Sequence, residues 1–441
     1  MTRTPLARHA DDAVQAELRL VDGREVSWFH IAGGKRHGAI GPAGAQTAVQ
    51  AVRMAIARGV PVVGVLDTGG ADIHEGVTAL HAWGTLARAF ADASGVVPTI
   101  IAVTGACVSG PALLLGLVDA VVMTEPSFAY VTGPDAVAQV TGVATTRHEL
   151  GGASVHGTVS GVATLVVADE TDVDGAIAEL LACLPSDNLA DAPREVAGDD
   201  PQRDCITAAQ CVPAIPNAPY DVRDVIDDVL DRDSFLELRP HHAPNVVIGF
   251  GRLDGYVVGV VANQPSSRAG TIDIDASRKA ARFVSWCDSF NVPLLTFVDT
   301  PGFEPGRDLE WRGMIRHGAQ LVHAYCAATV PRVCVILRKA YGGAYIVMDS
   351  RRIGDDLCIA WPGAEIAVMG TAGALQILGS KGLSAEEYED AFLNPWRAAE
   401  RGVVDAVIDP RDTRRVLVDA FAALRTKRVA SVSRKHSNGP L

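Results

Sequence analysis

The sequence predicts an α/β protein built from two copies of one domain. Short apolar runs typical of buried strands alternate with alanine-rich helical stretches along the 441 residues, a pattern that predicts βα units. Three segments also occur twice, in the same order, beginning at Pro61 and Pro293, at Val97 and Val330, and at Pro126 and Pro362. Because repeats on this scale indicate duplicated domains and not a short-period solenoid, we expect two tandem α/β domains.

Each copy predicts a strand, a helix and a second strand in that order. These elements lie at 62–67, 80–92 and 99–105 in the first copy, and at 294–299, 315–329 and 332–338 in the second. The second copy alone begins with an amphipathic helix and strand over 220–238. The first copy is therefore expected to be shorter at its start.

A stretch rich in proline and aspartate separates the copies. Residues 185–218 lack apolar periodicity, which is typical of a linker. We therefore predict a first domain at 1–204, a linker at 205–218 and a second domain at 219–441.

Charge and composition restrict the classes of partner. The net charge of −13 and the isoelectric point near 5.4 argue against nucleic acid and anionic membranes as main partners. No signal peptide or membrane-spanning apolar run is present, which predicts a cytoplasmic protein. None of the eight cysteines forms a CxxC pair and the histidines lack ligand spacing, so no metal site is predicted.

Two glycine-containing turns are the strongest candidates for chemistry. CVSGPA contains Ser109 and Gly110, and AYGGAY contains Gly343 and Ala344. A strand that turns into a helix through small residues leaves backbone N–H groups free to stabilise an oxyanion. The alternative is a tight turn that only brings a helix close to the sheet. The occurrence of both turns in register favours a function.

Several motifs resemble one family. RKAYGGAYIVMDS, AWPGAEIAVMG, FVDTPGFEPG and the NPWRAAERGVVDAVIDPRDTRR tail are similar to the carboxyltransferase (β) subunits of biotin-dependent acyl-CoA carboxylases, and DTGGADIHEGV and VTGPDAV also fit. The resemblance runs from about Val21 to the C-terminus. It implies two tandem crotonase-like (ClpP/crotonase) domains, each a twisted sheet flanked by helices, in a hexamer that is a trimer of dimers.

The resemblance also implies a site shared across a dimer interface, with acyl-CoA on the first domain and carboxybiotin on the second. By this analogy the amides of Ser109 and Gly110 hold the thioester oxygen, and those of Gly343 and Ala344 hold the ureido oxygen of biotin. Such chemistry needs two oxyanion sites and no strong side-chain base, because the biotin nitrogen can take the α-proton. The absence of a Ser-His-Asp or carboxylate-pair motif is consistent with it.

Further positions are assigned by the same resemblance. Gly70 and Ala71 of the DTGGAD loop and Gly133 and Pro134 of VTGPDAV are expected to bind coenzyme A. Ile346 is the expected specificity residue, because family members devoted to propionyl-CoA carry Asp immediately after GGAY. An apolar residue there implies a different pocket for a short acyl chain such as acetyl, propionyl or butyryl.

The resemblance implies partners as well. The chain has no AMKM or VMKM biotin-attachment segment and no ATP-binding module, so biotin would arrive as carboxybiotin on a separate carrier protein, loaded by a biotin carboxylase subunit. Two alternatives stay open: a malonyl- or methylmalonyl-CoA decarboxylase with the same domains, and a non-catalytic structural subunit. Loss of carboxylate from malonyl-CoA without biotin would favour the decarboxylase.

Departures from the family pattern fall in the first copy. Ser109-Gly110-Pro111 replaces the usual Gly-Gly-Ala, and the repeat aligns Pro111, which has no N–H, with Ala344. Asp72 stands where the family usually has Arg, which reverses a charge near the expected path of coenzyme A. If the missing amide limits the first site, one oxyanion donor is lost there; if Ser109 and Gly110 suffice, the site is complete.

Overall fold

The structure is a computed structural model that describes residues 4–7, 13–378, 382–430 and 432–440. By contact pattern the chain forms two compact units, Met1–Asp191 and Ala192–Leu441. The strands and helices of the first unit are β1 (Thr4–Ala7), β2 (Val14–Val21), β3 (Arg24–Ile31), α1 (Pro42–Arg58), β4 (Val62–Thr68), α2 (Val77–Ala93), β5 (Thr99–Val108), β6 (Ala120–Thr124), β7 (Phe128–Tyr130), α3 (Pro134–Thr141), α4 (Arg147–Gly151), α5 (Ala153–Thr158), β8 (Leu165–Val167) and α6 (Val173–Ala182).

The second unit follows the same plan after two additional helices. Its elements are α7 (Ile206–Cys211), α8 (Val222–Val229), β9 (Leu236–Leu238), β10 (Val246–Leu253), β11 (Tyr256–Asn263), α9 (Ile274–Ser289), β12 (Leu294–Thr300), α10 (Arg307–Trp311), α11 (Met314–Ala327), β13 (Arg332–Tyr341), α12 (Gly342–Val347), β14 (Leu357–Ala360), β15 (Glu365–Ala367), α13 (Thr371–Leu378), α14 (Ala385–Tyr388), α15 (Pro395–Glu400), β16 (Ala406–Val407) and α16 (Thr413–Leu424).

The two sheets share one topology. The first has the order β1-β2-β3-β4-β5-β6-β8 with β7 beside β5, and the second has β9-β10-β11-β12-β13-β14-β16 with β15 beside β13. In each sheet a short edge strand, β1 or β9, and an antiparallel hairpin, β2–β3 or β10–β11, are followed by parallel strands. The predicted duplication of an α/β domain is therefore confirmed.

Helices cover the sheets through small and branched apolar side chains. In the first unit α1 and α2 pack on the sheet through residues such as Ala48, Leu86 and Phe90. In the second unit α8 places Val225 and Ile226 in a core shared with the sheet and α16. Such apolar burial is the main stabilising term of each unit.

The predicted linker packs on the second unit. Cys205 and Ala208 are fully buried in that unit's core. Arg338 of β13 donates hydrogen bonds to the carbonyl oxygens of Ile215 and Ala218, at 3.2 and 2.9 Å. The division between compact units thus falls at Asp191, earlier than the predicted end at residue 204. Composition alone does not reveal these contacts, because they depend on a few side chains and on backbone carbonyls.

No helix within the described ranges has both the length and the apolar character needed to cross a bilayer.

Candidate active site

The two glycine-containing turns occupy equivalent positions. Strand β5 pairs with β7 up to Val108, and β13 pairs with β15 up to Tyr341. The next residue has a positive φ in both copies, 65° at Ser109 and 57° at Gly342. Superposition by register therefore equates Gly110 with Gly343 and Pro111 with Ala344.

The second-unit turn keeps its amides open. Gly342 adopts the left-handed conformation that glycine tolerates without strain. Gly343 is exposed and Ala344 buried, and their N–H groups, in the first turn of α12, meet no acceptor among the described residues. Two adjacent amides without an acceptor are a suitable site for an oxyanion.

The first-unit turn differs. The Ser109 amide donates to the carbonyl oxygen of Tyr130 at 2.9 Å, so it is already engaged. Pro111 has no N–H and begins a 3₁₀ helix over Gly110–Gly116 in place of an α-helix. Within the described part of the chain, the Gly110 amide meets no acceptor. Only one amide of Ser109-Gly110-Pro111 is therefore open.

The DTGG loop lies directly against this turn. A Cβ atom added to Gly70 would lie 3.3 Å from the Ser109 Cβ and 3.1 Å from the Val108 carbonyl oxygen. Ala71 forms a parallel bridge with Ile40, in which the Gly70 carbonyl and the Asp72 amide make the hydrogen bonds. The Ala71 amide meets no acceptor among the described residues. The structure thus places a second open amide on the neighbouring loop.

Asp72 is neutralised locally. Its carboxylate accepts a hydrogen bond from the His74 amide and forms an ion pair with Arg36 at 2.5 Å. These two contacts lower the pKa of Asp72. The Arg36 side chain is 59% exposed while it pairs with Asp72. The negative charge of Asp72, which stands where the family usually has Arg, is therefore balanced by Arg36 from another loop.

Gly133 and Pro134 line a separate cavity. This cavity has a volume of about 460 Å³, and Tyr130 and Arg147 also contribute to its wall. Arg147 lies over the ring of Phe128, with its guanidinium carbon 5.5 Å from the ring centre. The cavity therefore begins at β7, the strand that accepts the hydrogen bond of the Ser109 amide, and the Arg147 side chain contributes to its wall.

Ile346 lies on the first full turn of α12 and its side chain is exposed, at 42%. An exposed β-branched residue two positions after Ala344 can contact a ligand held by that turn. Sequence reasoning missed Arg36, Tyr130 and Arg147. Only the register of β7 with β5 and the loop geometry identify them, since single basic or aromatic residues carry no pattern.

Comparison with known proteins identifies the family of the chain. The carboxyl transferase domain family matches residues 1–439. The chain is 46% identical over 434 residues to the propionyl-CoA carboxylase carboxyltransferase subunit of Haloferax mediterranei, covering 96% of this chain and 84% of that protein. It is 43% identical to the methylmalonyl-CoA decarboxylase subunit alpha of Veillonella parvula, with coverage of 96% and 84%.

A solved structure is similar over nearly the whole chain. It is the crystal structure of transcarboxylase 12S with hydrolysed methylmalonyl-coenzyme A bound, whose title describes a hexamer assembly. The TM-score is 0.95, with 40% sequence identity, 98% coverage of this chain and 85% of the other. The fold is thus the crotonase-like fold of carboxyltransferases. The chain belongs to the carboxyl transferase domain family and is an enzyme of the transferase class.

Proposed function

We propose that the chain transfers a carboxyl group between carboxybiotin and the α-carbon of a short-chain acyl-CoA. The observation that carries the proposal is the pair of equivalent turns: the second-unit turn presents two open backbone amides, and the first-unit turn presents one, beside the open Ala71 amide. Amides of this kind stabilise the oxygen of an enolate without acting as a base. Acyl-CoA lies on the first unit and carboxybiotin on the second.

In the first unit, the Gly110 amide donates to the thioester oxygen. The Ala71 amide of the adjacent loop is the second donor, because the Ser109 amide is bound to Tyr130. Ser109 then acts by holding the turn against β7. Gly70 and Ala71 border the thioester, and the cavity lined by Gly133 and Pro134 receives part of coenzyme A. The cations of Arg36 and Arg147 are suited to the phosphates.

In the second unit, the Gly343 and Ala344 amides donate to the ureido oxygen of biotin. The exposed position of Gly343 and the adjacent open amides of Gly343 and Ala344 fit a planar oxygen acceptor that approaches from solvent. Carboxybiotin supplies the carboxyl group when it is bound. The described residues contribute orientation and oxyanion stabilisation, and Ile346 limits the size of the acyl group.

The proposal includes the oligomeric state of the chain and its location in the cell. The chain forms a hexamer, as described for transcarboxylase 12S, and works in the cytoplasm with a biotin carboxylase and a biotin carrier. A decarboxylase function is the second candidate, because a methylmalonyl-CoA decarboxylase subunit is 43% identical to the chain.

The two candidates are separated by incubating the purified chain with malonyl-CoA and methylmalonyl-CoA, with and without free biotin. The proposal predicts that the carboxylate is lost only when biotin is present to accept it. Gly343→Pro should abolish this activity. Rapid loss of carboxylate without biotin would contradict carboxyl transfer, and no activity of the wild-type hexamer in either condition would favour a structural subunit.

A further inference from the structure

A buried cluster of potential metal ligands lies within the second unit. Cys334 of β13 and Cys358 of β14 are directly paired in the parallel register of these strands. Their sulfur atoms and a carboxylate oxygen of Asp355 all lie within 4.8 Å of one another. All three residues are buried: both cysteines are fully inaccessible and Asp355 is 4% exposed.

The polar atoms around this cluster are incompletely bonded. Arg351 approaches Asp355 Oδ1 at 3.4 Å, while the other oxygen, Oδ2, meets no donor among the described residues. The hydroxyl of Tyr345 lies beside the Cys358 thiol, yet it makes no hydrogen bond of normal geometry. A buried polar atom without a hydrogen-bond partner lowers the stability of the folded state. A bound ion is one of the few explanations for several such atoms in one place.

The donor set and the charges fit one cation. Two thiolates and a carboxylate carry three negative charges, which a divalent ion and Arg351 would balance. Thiolate ligands favour zinc over magnesium or calcium. In a tetrahedral zinc site the metal–sulfur distance is about 2.3 Å and the metal–oxygen distance about 2.0–2.2 Å. Ligand atoms would then be separated by roughly 3.3–3.8 Å. The three candidate ligand atoms already lie within 4.8 Å of one another, so this spacing is compatible with the structure.

We propose that Cys334, Asp355 and Cys358 bind a zinc ion, with Tyr345 or a water molecule in the fourth position. On binding, each thiol releases its proton to solvent and becomes a ligand. Tyr345 follows Ala344 directly in α12, so the site would stabilise the base of that helix.

The test measures zinc in the purified full-length chain by elemental mass spectrometry, after incubation with zinc chloride and exhaustive dialysis. The proposal predicts one zinc ion per chain, and less than about a tenth of that in Cys334→Ala/Cys358→Ala. Cys107→Ala/Cys287→Ala is the matched control, because it removes two equally buried thiols outside the cluster. This control should retain the ion, and Asp355→Asn should weaken its retention.

A second measurement does not depend on folding of the variant. Replacement of zinc by cobalt in the wild-type chain should produce an intense near-ultraviolet absorption from thiolate ligands. A wild-type chain that retains no zinc, zinc that remains in the folded cluster variant, or cobalt without thiolate absorption would each overturn the proposal. A Cys334–Cys358 disulfide, detected by mass as the loss of two hydrogens, would also overturn it.

Discussion

At the scale of single residues, the two copies differ most where Pro111 replaces Ala344. Both residues are buried, and the residue two positions before each has a positive φ. The two copies therefore allow the contribution of one amide, that of Ala344, to be tested by substitution. The first unit already accommodates proline at the equivalent position.

Exchange of these residues should have unequal effects. Ala344→Pro removes an open amide and should reduce turnover by about 100- to 1,000-fold, as expected for loss of an oxyanion donor. Pro111→Ala should change turnover less than about threefold, because Gly110 and Ala71 already provide two open amides. This change is much smaller than the loss of turnover expected when an oxyanion donor is removed. Biotin-dependent carboxylate loss from methylmalonyl-CoA measures both. A large gain in Pro111→Ala would show that Pro111 limits the first site.

Ile346→Asp should move the acyl preference toward the propionyl series. A change at one contact in the acyl pocket alters discrimination by about 1–3 kcal/mol, or roughly 10- to 200-fold. The ratio of kcat/KM for methylmalonyl-CoA to that for malonyl-CoA measures the shift, and Ile346→Val is the conservative control. An unchanged ratio in Ile346→Asp would show that this residue does not determine acyl specificity.

Arg36→Ala should raise KM for acyl-CoA with little change in kcat, because an exposed guanidinium contributes to binding of phosphate and not to the reacting atoms. The structure provides a matched control in the second unit, where Arg268 pairs with Glu304 at 3.3 Å. Arg268→Ala should leave the KM for acyl-CoA unchanged. Equal effects of the two substitutions would contradict the assignment of coenzyme A to the first unit.

At the scale of elements, strand β13 is anchored by a buried ion pair. Arg338 Nε lies 3.0 Å from Asp299 Oδ2, and the Tyr220 hydroxyl donates to the same oxygen at 2.9 Å. Gly105 of β5 lies against Asp67 in the equivalent place of the first unit. The two sheets therefore share a topology but not the charge network beneath their turns.

Arg338→Met should lower the free energy of unfolding by about 3–5 kcal/mol near neutral pH, since it leaves a buried carboxylate without its cation. Burial raises the pKa of Asp299 even beside Arg338, so the folded state binds this proton more tightly than the unfolded state. The stability that protonation provides is present at low pH and is lost as pH rises through the folded pKa.

The defect of Arg338→Met should therefore diminish at acidic pH. Denaturant unfolding at several pH values measures this dependence. Arg338→Met/Asp299→Asn should recover part of the lost stability and show a smaller pH dependence. A defect of the same size at every pH would mean that Arg338 contributes mainly through its contacts with Ile215 and Ala218.

Elements were the part of the structure that the sequence predicted best. The apolar runs at 62–67 and 294–299 became β4 and β12, because buried parallel strands need continuous apolar residues. The engagement of Ser109 with Tyr130 could not be predicted, since it depends on the register of β7 against β5. The Cys334, Asp355 and Cys358 cluster was missed for the same reason: strand pairing joins residues that have no motif spacing.

At the scale of the whole molecule, the duplication explains how one chain can present two equivalent turns with open amides. Family membership and the crotonase-like fold agree with the expectation from the motifs. The predicted domain bounds, 1–204 and 219–441, stay a prediction, while the contact pattern divides the chain after Asp191. A segment rich in proline and aspartate is held in the second unit by Cys205, Ala208 and Arg338, and composition gives no measure of such contacts.

The central claim is that the first unit holds the thioester through the amides of Gly110 and Ala71. A structure of the hexamer with acyl-CoA bound tests it most directly. The thioester oxygen should lie within hydrogen-bond distance of the Gly110 and Ala71 nitrogen atoms, while the Ser109 amide keeps its hydrogen bond to the Tyr130 carbonyl oxygen. A thioester oxygen bound at Gly343 and Ala344, or bound by the Ser109 amide after release from Tyr130, would contradict the account.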